Sequence, residues 1–305
     1  MHISLDSALG RQRRLNQVGE TISSIAAPTA AYSLRSLTGG DPKAVRVRRD
    51  TGGAAGDDDE QDFTVSEINS GALVDFVGSG NDGFVETWYD QSGNGNDLTQ
   101  AIDGKQPTIV TSGTLNTRNN KPIIKFIQAN STFLEIADSS MFPTGSNIAV
   151  TIFHAMHIDI SSSNRMGVFG NNNGGSNAQT NTYRFGSGTS RRVIVKFGDA
   201  SDTQVEVLSG FYTNDSDSIL TYQFAVNGGT ASLQDFNNGS SLSSNSASTT
   251  DQSYGPVSDS IILGARRTLD NFSDSEFFEV IAYGSDQLSN RSAIETNMNS
   301  HYSIF

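Results

Sequence analysis

Between Asn147 and Ile160 the even-numbered positions Ile148, Val150, Ile152, Met156, Ile158 and Ile160 are apolar, with His154 the one interruption. Successive side chains of an extended strand point to opposite faces, so this period of two calls for a sheet with one face buried and excludes a helix. The signal returns at Val193–Phe197, Val205–Val207 and Ile219–Val226, then across Asn227-Gly228-Gly229 at Thr230–Phe236. Asn and Gly accept the positive φ of a tight hairpin turn, so the last two segments read as paired strands. Ser260–Gly264 and Glu276–Tyr283 supply two late strands. Many short strands with few helices close a core as a sandwich or jelly roll, and residues 30–305 are expected to form one such domain.

The rest of the composition fits that frame. Thirty Gly and a charged share of only 17% suit frequent turns, while 17 Phe and 8 Tyr are enough to fill a core. Cysteine is absent, which removes disulfides and thiolate metal sites. The net charge of −13 argues against nucleic acid as a partner. No apolar run approaches the length of a membrane span, so no membrane insertion is expected. No apolar stretch follows a basic one at Met1–Asp6, which predicts no signal peptide and assembly in a cytoplasm.

Residues 3–26 carry a different period. Leu15, Val18, Ile22 and Ile25 recur at helical spacing, with Leu5 and Leu9 upstream and Pro28 as the stop. Two heptads do not hold a helix alone in water, so this stripe must pack on something. The expectation is that residues 1–27 form an anchoring segment outside the sandwich. A chain starting at Ala30 should then keep its β content but fail to assemble, with a homo-oligomer, a trimer for preference, as the assembly. A second helix is expected at about Gln287–His301, bearing Leu288, Ile294, Met298 and Tyr302.

Candidate sites are few. The run Asp57-Asp58-Asp59-Glu60 matches no calcium-loop spacing and reads as a solvated loop, so no metal or cofactor is expected. His154 and His157 lie three apart on a strand and face opposite ways, which excludes a shared ligand role. Trp88 and Tyr89 end a Phe84–Tyr89 strand, where core packing is favoured over stacking on a sugar. The loop that follows, Asp90-Gln91-Ser92-Gly93-Asn94-Gly95, is read as structural. Asp90 and Ser92 should hold backbone amides, and Gly93 and Gly95 should take conformations that a β-carbon disfavours.

The run Trp88–Gln100 resembles a signature of the fungal B-type α-L-arabinofuranosidases, and Ala44–Arg49, Ile261–Gly264, Phe277–Val280 and Asp286–Tyr302 are similar to the same family. The resemblance implies a concanavalin-like, laminin-G-like antiparallel jelly roll. Ala31-Tyr32-Ser33-Leu34-Arg35, Trp88–Gly95 and Ser289–Asn297 also resemble a group of tailed-phage structural proteins, which implies a virion surface protein (a head fibre, decoration protein or tail-fibre component). On that reading the partners are other capsid or tail proteins and, by fold analogy, a host surface glycan. Retaining glycosidases need two carboxyl groups about 5–5.5 Å apart. In the arabinofuranosidases the acid/base is an Asp soon after a Leu-Gly pair, and Asp270 lies two residues beyond that place. The family's nucleophile is a Glu in a mid-chain segment, and the corresponding Ala149–Gly170 holds only Asp159. Glu279 should share a face with Phe277, Ile281 and Tyr283, tucked among apolar neighbours, while Asp274 and Glu276 lie near the late strands. Counting carboxylates this way predicts a protein that is not an enzyme. The alternatives are an arabinofuranosidase-like glycoside hydrolase or a free lectin-like module.

Overall fold

A computed structural model describes residues 20–52, 59–136, 141, 143, 145, 147–158, 166–167, 169–171, 182–185, 191–196, 204–209, 216–248, 260–265, 269 and 271–305. The chain is an all-β antiparallel sandwich with a short N-terminal helix, α1 (Ile22–Ile25), and a C-terminal helix. The principal strands are β1 (Ala30–Ser33), β2 (Lys43–Asp50), β3 (Glu60–Thr64), β4 (Asp82–Trp88), β5 (Leu98–Thr99), β6 (Thr108–Thr111), β7 (Ile124–Phe126) and β8 (Leu134–Ile136). They continue with β9 (Asn147–Ile158), β10 (Asp217–Asn227), β11 (Thr230–Asn237), β12 (Ser240–Ser248), β13 (Ile261–Leu263) and β14 (Ser275–Tyr283). Helices α2 (Val65–Ser70) and α3 (Ala72–Val77) lie between β3 and β4, and α4 (Arg291–Tyr302) closes the chain. The hydrogen-bonded path runs β13-β8-β5-β4-β6-β7-β14-β9-β10-β11-β12, with β1 on β14 and β2 on β4. Strands Met166–Gly167, Thr182–Phe185, Arg191–Lys196 and Gln204–Ser209 pair as a separate small sheet.

The alternating strand is β9, which pairs residue for residue with β10 from Asn147↔Asn227 to His157↔Asp217. Its inward side chains Ile148, Val150, Ile152 and Met156 meet Tyr222 and Phe224 of β10, and share one core with Val45, Val85, Trp88, Ile109 and Leu134 from the other half of the path. A second apolar layer lies on the outer face of β9 and β14. There Phe153, Ile281 and Tyr283 are covered by Ile294, Met298 and Tyr302 of α4.

Two sequence expectations change here. Ile22 of α1 is wholly buried in the second layer and Ile25 packs against it, so these two stripe positions belong to the domain. Leu5, Leu9, Leu15 and Val18 lie outside the described residues. In β14 the pairing with β9 slips between Ala155↔Glu279 and Met156↔Phe277, and the bulge breaks the strict alternation. Phe277 therefore enters the main core, whereas Phe278 and Ile281 join the layer under α4.

The helices α2 and α3 were not legible as a periodic stripe, because each has only six residues. A readable signal did exist. Thr64 and Glu67 form a reciprocal capping box, and Gly71 at φ 91° ends the first helix and opens the second.

Candidate functional site

The Trp88–Gly95 run starts in the core at Trp88 and ends as an exposed turn at Gly93–Gly95. Trp88 is fully buried beside the Tyr32 ring, with centroids 5.8 Å apart. Tyr89 donates its O–H to Asp62 Oδ1 at 2.7 Å. Asp90 Oδ1 accepts the amides of Ala31 and Ser92, each at 2.9 Å, and Oδ2 accepts the Asn96 amide at 3.1 Å. Asp97 in turn accepts the Asp90 amide at 2.8 Å. Gly93 at φ 86° and Gly95 at φ 76° turn the loop back. Gln91 accepts the Leu37 amide at 2.9 Å and donates to the carbonyls of Ser33 and Arg35. The side chains of this loop are thus committed to β1 and the segments on either side of it and to β3, with the Trp88 ring in the core and the Lys43 ammonium over the Tyr89 ring.

A cleft of about 290 Å³ opens instead where β7, the start of β14 and the end of β9 meet. Arg118, Lys125, His157, Asp274 and Glu276 line it, with the buried Phe126 below. Arg118 organises the cleft. Its Nε donates to Asp217 Oδ1 at 2.5 Å and its Nη1 to Glu276 Oε2 at 3.0 Å. Burial works against the Arg118 charge, but Asp217 and Glu276 outweigh it and hold the guanidinium above its ordinary pKa. A guanidinium only donates, so the Nη2 contact at 3.1 Å makes His157 Nε2 an acceptor. The imidazole proton then sits on Nδ1, 3.0 Å from Asp217 Oδ1. Asp274 Oδ1 accepts the Gln128 amide at 2.8 Å. Among the described residues, the second carboxylate oxygens of Asp274 and Glu276 have no partner, and the exposed Lys125 brings an ammonium to the cleft.

The sequence-derived candidates distribute unevenly over this geometry. Asp270 and Asp159 lie outside the described residues, as do Asp57 and Asp58. Asp59 and Glu60 pair with Arg49 and Arg46. His154 is fully buried with its ring stacked on Tyr222 at 6.0 Å, on the face opposite His157. Among the described residues no group of three or more His, Asp or Glu side chains is arranged to hold a metal. Glu279 is buried as expected, but against Arg35, Ser33 and Tyr302, not among apolar neighbours.

Fold and cleft together define an antiparallel β-sandwich with a polar cleft at one end. No family model and no curated protein matches the chain. Solved structures do. An arabinofuranosidase complexed with arabinofuranosyl-α-1,2-xylobiose aligns at TM-score 0.58 and 19% identity, over 92% of this chain and 64% of that one. A GH54 α-L-arabinofuranosidase soaked with a cyclic sulfate inhibitor aligns at TM-score 0.52 and 19% identity, over 89% and 62%. The receptor binding domain of botulinum neurotoxin D aligns at TM-score 0.47 and 12% identity, over 69% and 50%. The chain spans under two thirds of the length of each.

The expectation of a non-enzyme is corrected by these matches, because solved structures that share the fold over nearly the whole chain are arabinofuranosidases. The carboxylate count weighed Ala149–Gly170 and the late strands by position in the sequence, whereas strand pairing carries Asp217 to His157, and Arg118 of the Thr117–Pro122 hairpin joins that aspartate to Glu276.

Proposed function

We propose that this chain is a carbohydrate-active sandwich domain that takes a sugar into the Arg118–Glu276 cleft, with glycoside hydrolysis as its reaction class. The observation that carries the reading is the cleft itself. Two carboxylates, Asp274 and Glu276, offer acceptor oxygens beside the ammonium of Lys125, and this pairing suits the vicinal hydroxyls of a sugar ring. Its volume lies at the lower edge of the roughly 300–1,000 Å³ typical of small-molecule sites, which suits a monosaccharide unit at the end of a chain. Support also comes from the arabinofuranosidases that share the fold, one of them bound to an arabinofuranosyl oligosaccharide. Arg118 orients Glu276 while Asp217 and His157 hold Arg118, so the charged groups are positioned before a ligand arrives.

The test is a panel of aryl glycosides, beginning with aryl α-L-arabinofuranoside, incubated with the full chain and with Glu276→Gln and Asp274→Asn. Release of phenol that falls by about 10²-fold or more in Glu276→Gln is expected. Neither turnover nor sugar binding anywhere in the panel would overturn the reading.

Where the domain works is a separate proposal. The resemblance of Ala31–Arg35 and Ser289–Asn297 to tailed-phage proteins supports display on a virion, with capsid or tail proteins as partners. Mass spectrometry of purified particles would find the chain if so, and its absence would remove this proposal without touching the cleft.

A further inference from the structure

We infer that the pocket between α4 and the Thr117–Pro122 hairpin binds a small tetrahedral oxyanion of the phosphate or sulfate type. The hairpin pairs Thr117↔Pro122 and Arg118↔Lys121 across Asn119 and Asn120, which sit at φ 52° and 59°. That tight turn sends Arg118 into the cleft described above and Lys121 into a second, separate pocket of about 110 Å³. Arg35, Asn69, Asn120, Lys121, His301 and Tyr302 supply the polar lining of this pocket, and among the described residues no carboxylate lines it.

Of the two cations there, Arg35 is already paired from beneath the pocket and, among the described residues, Lys121 is not. Both Glu279 oxygens lie below, on Arg35 Nε and Nη2. Among the described residues, the Lys121 ammonium has no carboxylate partner and the His301 ring has no hydrogen bond. The His301 imidazole pKa is displaced mainly by its own burial. Burial first, then the charges of Arg35 and Lys121, push it down to about 4, with Glu279 pulling weakly the other way and Tyr302 packed edge-on beside it. Two carbonyls of the adjacent helix terminus are taken up within the fold. Asn119 Nδ2 donates to the Tyr302 carbonyl at 3.2 Å, and the Ser303 amide to that of Asn299 at 2.8 Å. In a chain of net charge −13 this is a local positive pocket of a size that suits one oxyanion, with the Asn69 and Asn120 amides as additional donors.

The inference is independent of the sugar reading, because the two pockets share no lining residue. It is tested by following the imidazole resonances of His301 in the full-length chain, assigned with His301→Gln. Parallel pH titrations would be run in inorganic phosphate and in sodium chloride of equal ionic strength. A bound oxyanion opposes the field of Arg35 and Lys121, so phosphate should raise the His301 midpoint from about 4 by roughly one unit or more. Lys121→Gln, at a half-exposed position, should weaken phosphate binding at least tenfold without loss of folding. Identical His301 titrations in the two salts would overturn the inference. So would phosphate affinity unchanged in Lys121→Gln.

Discussion

Arg35 clasps Glu279 through two parallel hydrogen bonds, Nε to Oε2 at 2.7 Å and Nη2 to Oε1 at 3.0 Å. The pair ties the segment after β1 to the middle of β14, two elements separated by almost the whole chain. Ser33 Oγ and the Tyr302 hydroxyl add to the same carboxylate, and Asn297 of α4 accepts from Arg35 Nη2 at 2.7 Å. Gln91 reaches in from the Asp90 loop to the Arg35 carbonyl. The sequence runs that carry the family resemblances therefore converge on one buried polar knot. In this chain those runs hold the two ends of the sandwich together.

Breaking that knot on one side should be severe. Glu279→Gln or Arg35→Met leaves a buried charge without its partner, and chemical denaturation should show a loss of about 3–5 kcal/mol. The Arg35→Met, Glu279→Met double variant should lose less than the sum of the singles. Strict additivity would show that the two side chains do not act as a pair.

The Asp90 loop makes a second, weaker demand. Asp90→Ala strips acceptors from the amides of Ala31, Ser92 and Asn96, and should cost about 1–3 kcal/mol while leaving sugar binding at the distant cleft unchanged. A variant that melts like the parent but loses ligand would identify the loop as a site.

The N-terminal segment should behave as part of the domain. Ile22 is fully buried beneath α4, so Ile22→Ala should cost about 2–5 kcal/mol, and removal of residues 1–29 should destabilise the sandwich. A truncated chain with the parent's stability would return the segment to a purely assembly role.

Alkaline pH should unfold the protein through two buried phenols. Tyr32 is held well above its ordinary value by burial and then by Asp90 and Asp97, and Tyr302 by burial and then by Glu279. A phenol with a raised folded-state value contributes its full stability below the unfolded value of about 10, and loses it as pH rises toward the folded value. Melting temperatures should fall progressively above about pH 10, and Tyr302→Phe should flatten part of that decline.

The sequence displayed the fold through period and turn chemistry. The alternation of Ile148 to Ile158 became β9, and Asn227-Gly228-Gly229 became the β10–β11 turn. Strand β12 escaped notice because Ser240–Ser248 is a mostly exposed, Ser-rich strand at the end of the path with no apolar alternation. The cleft was invisible for a different reason. Arg118, His157, Asp217 and Glu276 come from four separate segments, and only the β9–β10 register and the bulge in β14 bring them together. No local spacing encodes such a meeting.

The central claim, that the Arg118–Glu276 cleft receives a sugar, is tested most directly by crystals soaked with an arabinofuranosyl xylo-oligosaccharide. The account predicts density for a terminal sugar in the cleft, with its hydroxyls on Asp274 and Glu276 and within reach of Lys125, and no such density in Glu276→Gln. An empty cleft at saturating oligosaccharide, or sugar bound only at the Trp88–Gly95 loop, would contradict it.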